Sequence, residues 1–202
     1  MPKSGFIFCC FNNSYKITPL TFSSWIRILQ QVDGSVLWLL ENDKNTSKNL
    51  MKEAKKLSID SNRLIITEMA PIEEHLNRIQ LADLFLDTLP CNAHTTASDS
   101  LRMGVPVLKC IGNSFSSRVS ASLLNAVNLP ELITKNYEQY ESLAIKLGTN
   151  SLEFNRINES LAFNLNKAPL FKTELFTKNI EDAYRMIYER YHKGLVPEHT
   201  YL

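Results

Sequence analysis

The chain has 202 residues, of which 44% are hydrophobic and 21% are charged, and its 22 Lys and Arg against 21 Asp and Glu leave a net charge of +1. This length and balance fit one soluble globular domain with its own core, and they exclude an intrinsically disordered chain and a small disulfide-stapled scaffold. A charge this close to zero gives no support to a protein that binds nucleic acid through a basic face.

The first predicted element is a strand over residues 5–11, because this continuous apolar run is typical of strands that are buried on both faces of a parallel sheet. A polar loop, residues 12–16, follows it. Thr18 and Thr21 are candidate N-caps for a helix that Gly34 ends. The apolar stripe of this helix has helical spacing and consists of Trp25, Ile28, Leu29 and Val32.

Two further strands are predicted in the next part of the chain, over residues 35–40 and 63–67. The helix between them carries its apolar residues on one side: Leu50, Met51, Ala54 and Leu57. After the third strand, Pro71 stands where a helix can begin, and Glu73 and Glu74 in its first turn interact favourably with the helix dipole.

A fourth strand, a loop, a short helix and a fifth strand come next: residues 84–88, 89–94, 95 or 96 to 103, and 106–110. Gly104 ends the short helix. Beyond residue 115 the pattern is helical, in segments near 116–127, 136–148, 151–166 and 173–193. Because strands that alternate with helices imply right-handed crossovers, the predicted fold class is α/β, a Rossmann-like parallel sheet of five or more strands with helices on both faces.

The cysteines and histidines do not form a metal-binding pattern. The four cysteines, at positions 9, 10, 91 and 110, include no Cys-x-x-Cys and are predicted to be reduced thiols. The four histidines, at positions 75, 94, 192 and 199, include no His-Glu-x-x-His and no i, i+4 pair. The apolar runs are too short to span a bilayer, and no signal-peptide pattern is present. We therefore expect a cytoplasmic protein without a metal cofactor and without a membrane or nucleic-acid partner.

Ligands of open α/β sheets bind outside the carboxyl ends of the strands. Three loops qualify here: residues 12–16, 69–78 and 91–99. The chain contains no Gly-x-Gly-x-x-Gly and no Walker Lys-Ser/Thr sequence, which argues against a dinucleotide oxidoreductase and a P-loop NTPase.

Residues 94–99 begin a predicted helix with two hydroxyls, small residues and a carboxylate. Free N–H groups and the positive end of the helix dipole at such a start suit a phosphate. The alternative is a capping box in which Thr96 and Asp99 satisfy the helix end and bind no ligand.

Three basic side chains are candidate partners for that site. Lys16 follows a buried strand, and its ammonium could neutralise phosphate charge; the alternative is a solvated loop lysine. His75 and Arg78 lie three residues apart on one helix face, where an imidazole can stack on a base and a guanidinium can bond its carbonyl edge. The alternative is an exposed helix face beside Glu74.

Several blocks in order together resemble glycosyltransferase family 41, which contains the protein O-linked N-acetylglucosamine transferases and the SPINDLY O-fucosyltransferases. The blocks are residues 11–17, 35–40, 70–75, 81–88, 91–96, 117–122 and 169–171. The resemblance covers residues 5–199 and implies the C-terminal half of a GT-B fold, in which two Rossmann-like lobes face a cleft. Residues 1–202 would be the C-terminal, nucleotide-sugar-binding lobe, without the N-terminal lobe and the tetratricopeptide repeats.

The resemblance also implies a reaction, a metal-independent, inverting transfer of GlcNAc from UDP-GlcNAc to Ser or Thr of proteins. The protein acceptors would bind through the absent repeats, so we expect this chain alone to bind the donor and to be inactive. Its last predicted helix, residues 173–193, would normally bridge to the absent lobe. We therefore expect part of its apolar stripe to be exposed: Phe176, Ile180, Ala183, Tyr184, Ile187 and Tyr191.

The roles of the site residues come from the resemblance. Lys16 would be catalytic, stabilising the charge on the leaving nucleotide, and with Asn13 it would face the diphosphate. Around the base, Ala70 would make main-chain contacts, His75 would stack on the ring, and Arg78 would lie beside it.

The remaining predicted site residues belong to the helix start after the fourth strand. His94, Thr95 and Thr96 would contact phosphate and sugar, and Asp99 would hold the ribose hydroxyls.

Two positions depart from the animal members of the family, which have a lysine in place of Ile72 and a glutamine in place of Asn13. Loss of one charge-assisted hydrogen bond costs about 1.5–3 kcal/mol, so the missing lysine could change the affinity for the donor or its identity. Two alternatives therefore remain: a relative with another donor, such as GDP-fucose, or with a non-protein acceptor, and a non-catalytic interaction module whose donor site has decayed.

Overall fold

The computed structural model describes residues 4–41 and 43–201, and in them a parallel sheet of six strands forms the centre of the fold. The strands are β1 (Ile7–Cys10), β2 (Val36–Leu40), β3 (Leu64–Thr67), β4 (Leu84–Leu86), β5 (Val107–Cys110) and β6 (Ile133–Thr134). Their order is β3-β2-β1-β4-β5-β6, and all neighbours pair in parallel. The predicted Rossmann-like α/β fold is therefore confirmed.

Eight α-helices are described in the same residues. They are α1 (Pro19–Gln31), α2 (Lys44–Lys56), α3 (Ile72–Ile79), α4 (Thr95–Arg102), α5 (Val119–Ala126), α6 (Tyr137–Thr149), α7 (Ser151–Leu165) and α8 (Thr173–His192). Helix α1 packs against α6, while α4 packs against both α3 and α5. The chain moves from β1 toward β3 in one direction and from β4 toward β6 in the other. Because both sets of crossovers are right-handed, α1 and α6 cover one face of the sheet, and α3, α4 and α5 cover the opposite face.

The core is formed by strands that are apolar on both sides. Phe8, Cys9, Leu84 and Phe85 in the central pair β1 and β4 are fully buried, as this pattern predicts. The indole of Trp25 on α1 is also buried, and its N–H donates a 3.0 Å hydrogen bond to the hydroxyl of Tyr140 on α6. The packing of the two helices on this face is thus fixed by a satisfied polar contact as well as by apolar area.

Helix α7 leads the chain across the amino-terminal edge of the sheet. Phe154 on α7 packs edge-on against Phe6, just before β1, with ring centroids 4.9 Å apart, and α7 also contacts α4. Its course along the amino-terminal edge leaves the opposite, carboxyl-terminal edge of the sheet to the loops that follow the strands.

Helix α8 packs away from the sheet, and part of its apolar stripe is exposed, as predicted. None of its residues is fully buried, and four of the six stripe residues are exposed, among them Phe176, Tyr184 and Tyr191 at 64%, 67% and 78%. No helix of the described residues has the length and apolar character that crossing a lipid bilayer requires.

One strand was not predicted. Strand β6 has two residues, Ile133 and Thr134, which pair with Lys109 and Cys110 of β5. Two residues are too few to show the periodicity from which strands are inferred.

The order of the strands places a topological switch between β1 and β4. The chain proceeds from β1 through β2 to β3 on one side, and from β4 through β5 to β6 on the other. The connections therefore diverge and leave a crevice at the carboxyl ends of these two strands, where open α/β folds bind their ligands.

Candidate functional site

Asn12 lies at the switch point and joins three elements. It is buried directly beyond β1, and its amide donates hydrogen bonds to Asp87 Oδ1 (3.3 Å) and Thr88 Oγ1 (2.8 Å) beyond β4. Its side-chain oxygen accepts a 2.7 Å bond from the hydroxyl of Thr96 on α4. One asparagine therefore fixes the start of α4 relative to the ends of both central strands.

Lys16 points toward the same region. It ends a short 3₁₀ turn, Ser14–Lys16, and its ammonium donates a 2.9 Å hydrogen bond to the main-chain oxygen of Asn92. Asn92 lies in the loop between β4 and α4, two residues before the helix cap. The alternative of a solvated loop lysine is wrong, because the lysine is anchored beside the start of α4.

The start of α4 offers free hydrogen-bond donors. Ser98 N bonds to the oxygen of the cap residue His94, so the N–H groups of Thr95, Thr96 and Ala97 make no bond within the helix. The alternative, a capping box of Thr96 and Asp99, does not form, because the cap is His94 and the Thr96 hydroxyl bonds Asn12. These N–H groups, together with the helix dipole, suit an anion.

His75 on α3 and Asp99 on α4 lie close enough for their charges to influence each other. The half-buried ring of His75 packs edge-on against Phe11, with centroids 5.2 Å apart. Burial and, less strongly, the charge of Arg78 lower the pKa of His75, whereas Asp99 acts to raise it. Burial raises the pKa of Asp99, and the charges of His75 and Arg102 oppose that change. The imidazole is thus largely neutral at pH 7 and able to stack on an aromatic base.

Arg78 is held over the end of β3. Its Nη1 donates to Glu68 O (2.7 Å) and Thr67 Oγ1 (3.3 Å), and its Nη2 lies 3.3 Å from Glu74 Oε1. The side chain is only 13% exposed, so the alternative of a freely exposed helix face is wrong for this residue. Ala70 lies half-buried in the loop that Arg78 adjoins.

Three predicted residues have looser surroundings. Asn13 is exposed, and its side chain accepts a 3.5 Å bond from Tyr15 N at the start of the 3₁₀ turn. Thr95 is exposed at the start of α4. The ring of His94 lies 3.4 Å from the oxygen of Ser116 and packs edge-on near Phe115, in the loop after β5. The structure thus places every predicted residue at the carboxyl edge of the sheet, while the role of each stays a prediction.

Two buried charges beneath this edge were not recognised as site residues in the sequence. Asp87 is buried and accepts hydrogen bonds from Thr88 N (2.7 Å), Ala93 N (2.6 Å) and the hydroxyl of Ser120. Burial raises its pKa to about 6, against the lowering effect of these donors and of Lys109.

Lys109 is fully buried within β5 and donates to Asn92 Oδ1 (2.6 Å) and Ser117 O (2.8 Å). Burial lowers its pKa to about 8, although the nearby charge of Asp87 opposes this.

The sequence does carry a signal for these missed residues. Asp87 directly follows Leu84–Leu86, and Lys109 interrupts Val107–Cys110, both of which are strands buried on two faces. Charged side chains are almost never fully buried without partners, so a charge in such a strand marks a buried polar network. Asn12 carries no comparable signal, because a polar residue after a strand is ordinary.

Two further observations on the described part of the chain concern residues other than the predicted site residues. A groove of about 820 Å³ beyond β5 and β6 is lined by residues such as Ile111, Arg118 and Pro130, and none of the predicted site residues lines it. Within residues 4–41 and 43–201, no cluster of three His, Cys, Asp or Glu side chains could hold a metal ion.

Comparison with known proteins shows which proteins this chain is similar to. A UDP-N-acetylglucosamine–peptide N-acetylglucosaminyltransferase of Caenorhabditis elegans is 35% identical over 199 residues, which are 98% of this chain and 17% of that protein. A probable enzyme of the same name from Arabidopsis thaliana, SEC, is 34% identical over 98% of this chain and 20% of its own length. The chain therefore spans about a fifth of the curated relatives that it matches.

Among solved structures, a mutant O-GlcNAc transferase from Thermobaculum terrenum superimposes with a TM-score of 0.85 and 32% identity, over 93% of this chain and 37% of that one. The family model described as glycosyl transferase family 41 matches residues 1–180. With the sheet order, the switch-point site and these similarities in agreement, the chain belongs to glycosyltransferase family 41.

Proposed function

We propose that this chain is the C-terminal, nucleotide-sugar-binding lobe of a cytoplasmic enzyme that transfers GlcNAc from UDP-GlcNAc to Ser or Thr of proteins. The observation that carries the proposal is the meeting of Lys16 and the start of α4 at the loop around Asn92. The similar proteins, which are named UDP-N-acetylglucosamine–peptide N-acetylglucosaminyltransferases, support the choice of donor and acceptor.

The diphosphate is proposed to bind between Lys16 and the N–H groups of Thr95, Thr96 and Ala97. The ammonium, the oriented amides and the helix dipole together place positive potential at one point. Since Lys16 is a point charge with three donors, it can keep its bond to Asn92 O and still bond phosphate oxygens.

The nucleoside is proposed to extend from the diphosphate toward α3. The largely neutral ring of His75 would stack on the uracil, the main chain at Ala70 would bind its edge, and Arg78 would hold that loop in place through Glu68 O. Asp99, beside His75, would accept hydrogen bonds from the ribose hydroxyls.

The reaction is proposed to be an inverting displacement that needs no metal. As the bond between the anomeric carbon and the phosphate oxygen breaks, negative charge grows on the diphosphate. Lys16 can follow this charge, whereas the N–H groups of α4 act on charge that exists before the reaction begins. The acceptor hydroxyl, its base and the protein-binding repeats would belong to parts of the enzyme outside this lobe.

A second donor is favoured by one observation. Ile72, at the first turn of α3 next to Ala70, is apolar and 62% exposed, so it supplies no charge to the ribose or phosphate. A site without a positive charge at this position is compatible with another nucleotide sugar, such as GDP-fucose. An experiment must distinguish this alternative donor from UDP-GlcNAc.

The test is calorimetric titration of the chain with UDP, UDP-GlcNAc, GDP and GDP-fucose. UDP and UDP-GlcNAc should bind, and GDP and GDP-fucose should bind at least about tenfold more weakly, a difference of about 1.4 kcal/mol. Asp99→Ala should weaken UDP binding about 10- to 100-fold, the cost of a hydrogen bond to a charged group. Asp33→Ala, an exposed carboxylate at the opposite edge, is the matched control. The proposal would be overturned if GDP-fucose bound more tightly than UDP-GlcNAc, or if the chain bound none of the four nucleotides.

A further inference from the structure

We propose that Lys109 is a positioning residue that holds the loop carrying the diphosphate-binding groups, by bonding both the β4–α4 loop and the β5–α5 loop from beneath. The part of this proposal that concerns donor binding rests on the proposed function above. The part that concerns the two loops stands on the geometry alone.

The ammonium of Lys109 is placed in the core, where a charge is costly. Lys109 is 0% exposed, and among the described residues no carboxylate lies within ion-pair distance of its ammonium. A buried ammonium without a paired carboxylate is unfavourable unless its hydrogen bonds are strong. Its partners are two oxygens at 2.6 and 2.8 Å, Asn92 Oδ1 and Ser117 O, so the charge is used to hold these two atoms.

Asn92, which accepts one of these bonds, is itself bonded to three other groups. Its side-chain amide donates to Thr88 O at 2.6 Å, and its main-chain N–H donates to Ser116 O at 2.8 Å. Its main-chain oxygen accepts the bond from Lys16. With Lys109 on its side-chain oxygen, all four polar groups of Asn92 are engaged. The orientation of the carbonyl that receives Lys16 is therefore fixed by contacts that Lys109 completes.

Ser117, the second partner of Lys109, lies in the loop between β5 and α5. Ser117 O accepts from Gly112 N at 3.1 Å as well as from Lys109, and a Cβ at Gly112 would lie 2.7 Å or less from the Ser117 side chain. The neighbouring Ser116 O lies beside the ring of His94. Lys109 thus bonds the loop that precedes His94 and the loop whose Ser116 O lies beside the His94 ring, while Asp87 accepts a separate bond from Ala93 N.

Lys109 reaches the site only through other residues. It is closed off from solvent, and the two residues that it bonds, Asn92 and Ser117, are buried as well. Its substitution should therefore loosen the two loops and lower donor affinity without removing any group that touches the donor.

The experiment compares Lys109→Met, which keeps the length and removes the ammonium, with Leu108→Ala in the same buried strand as the control for general loss of stability. Hydrogen exchange of the ligand-free chain is followed by mass spectrometry, under conditions in which both variants are fully folded. Residues 88–96 and 113–118 should exchange at least about tenfold faster in Lys109→Met than in Leu108→Ala, after correction for global stability. Equal protection of these loops in the two variants would overturn the proposal.

Titration with UDP is the second readout. Lys109→Met should bind UDP about tenfold more weakly than Leu108→Ala, and equal affinity would overturn the link to donor binding. If the unsubstituted chain binds no UDP while Lys109→Met still loosens the loops, the proposed function fails and the positioning role stands. Should Lys109→Met not fold, Lys109→Gln keeps an amide donor toward Asn92, and Asn92→Ala removes the acceptor. Asn92→Ala should loosen the same loops, and Lys109→Gln should do so less than Asn92→Ala, or the proposal is wrong.

Discussion

The hydroxyl of Thr96 donates a 2.7 Å hydrogen bond to the side-chain oxygen of Asn12, which ties the first turn of α4 to the end of β1. The same asparagine bonds Asp87 and Thr88 at the end of β4. The helix start that is proposed to bind phosphate is thus held by the two strands that flank the topological switch, so the fold itself positions the candidate site.

Removal of the Asn12 side chain should lower the free energy of unfolding. Asn12→Ala removes the acceptor of the Thr96 hydroxyl and one donor to Thr88 Oγ1 and Asp87 Oδ1, so the free energy of unfolding should fall by about 1–3 kcal/mol. Asn13→Ala changes the next residue, which is exposed, and should cost less than about 1 kcal/mol. Urea unfolding of the two variants measures this difference, and equal stability would show that the hydrogen bonds of Asn12 contribute little to the free energy of unfolding.

The pair His75 and Asp99 predicts a specific titration. His75 should titrate below its ordinary pKa of 6.5, because burial disfavours the imidazolium. Asp99→Asn removes the charge that favours the imidazolium, so the pKa of His75 should fall further. Since the folded pKa is depressed, the contribution of His75 to stability is present above pH 6.5 and is lost as the pH falls through the folded value. NMR titration of the ring measures both pKa values, with Asp33→Asn as control, and an upward shift in Asp99→Asn would contradict this.

Lys109 predicts a pH dependence of stability. Its pKa is about 8 in the folded chain against an ordinary 10.5, so the unfolded chain binds more protons between these values. Asp87, Cys110 and Arg118 are the charged or titratable groups that act on it. The stability of the unsubstituted chain should therefore rise relative to Lys109→Met from about pH 8 to 10.5.

The difference between these two chains cancels the other titrating groups that they share. Urea unfolding at pH 7.5, 9 and 10.5 measures it. A constant difference across this range would mean that burial does not perturb Lys109.

Helix α8 predicts self-association. Tyr184, Ile187 and Tyr191 lie on one face of the helix, and all three are exposed, Ile187 at 53%. Exposed apolar area of this kind favours association of the isolated chain. Ile187→Ser with Tyr191→Ser should reduce the sedimentation coefficient at high concentration, whereas Leu152→Ser on α7, also exposed, should leave it unchanged. Association that persists in the double variant would exclude α8 as its cause.

Much of the fold could be predicted because strands buried on two faces have a long apolar run, as in β1 and β2. Strand β6 could not, since its two residues leave no pattern. The site loops followed from the rule that ligands bind at the carboxyl ends of parallel strands. The resemblance to the family added the proposed role of each residue.

The contacts within the site could not be read from the sequence. The spacing of Thr96 and Asp99 fits a capping box equally well, and only the position of Asn12 decides where the Thr96 hydroxyl bonds. Similarly, Lys109 follows Lys16 by 93 positions in the sequence, and their common contact with Asn92 depends on how β5 and the loops after β1 and β4 meet in space.

The central claim is that Lys16 acts on the charge of the leaving diphosphate. Its most direct test is steady-state kinetics of Lys16→Ala in the intact protein that contains this chain, with UDP titration alongside and Lys55→Ala, an exposed lysine on α2, as control. Because the contact strengthens as the glycosidic bond breaks, kcat should fall by about 10²-fold or more, while the Kd for UDP should change much less. An unchanged kcat with a raised Kd would contradict the role assigned to Lys16.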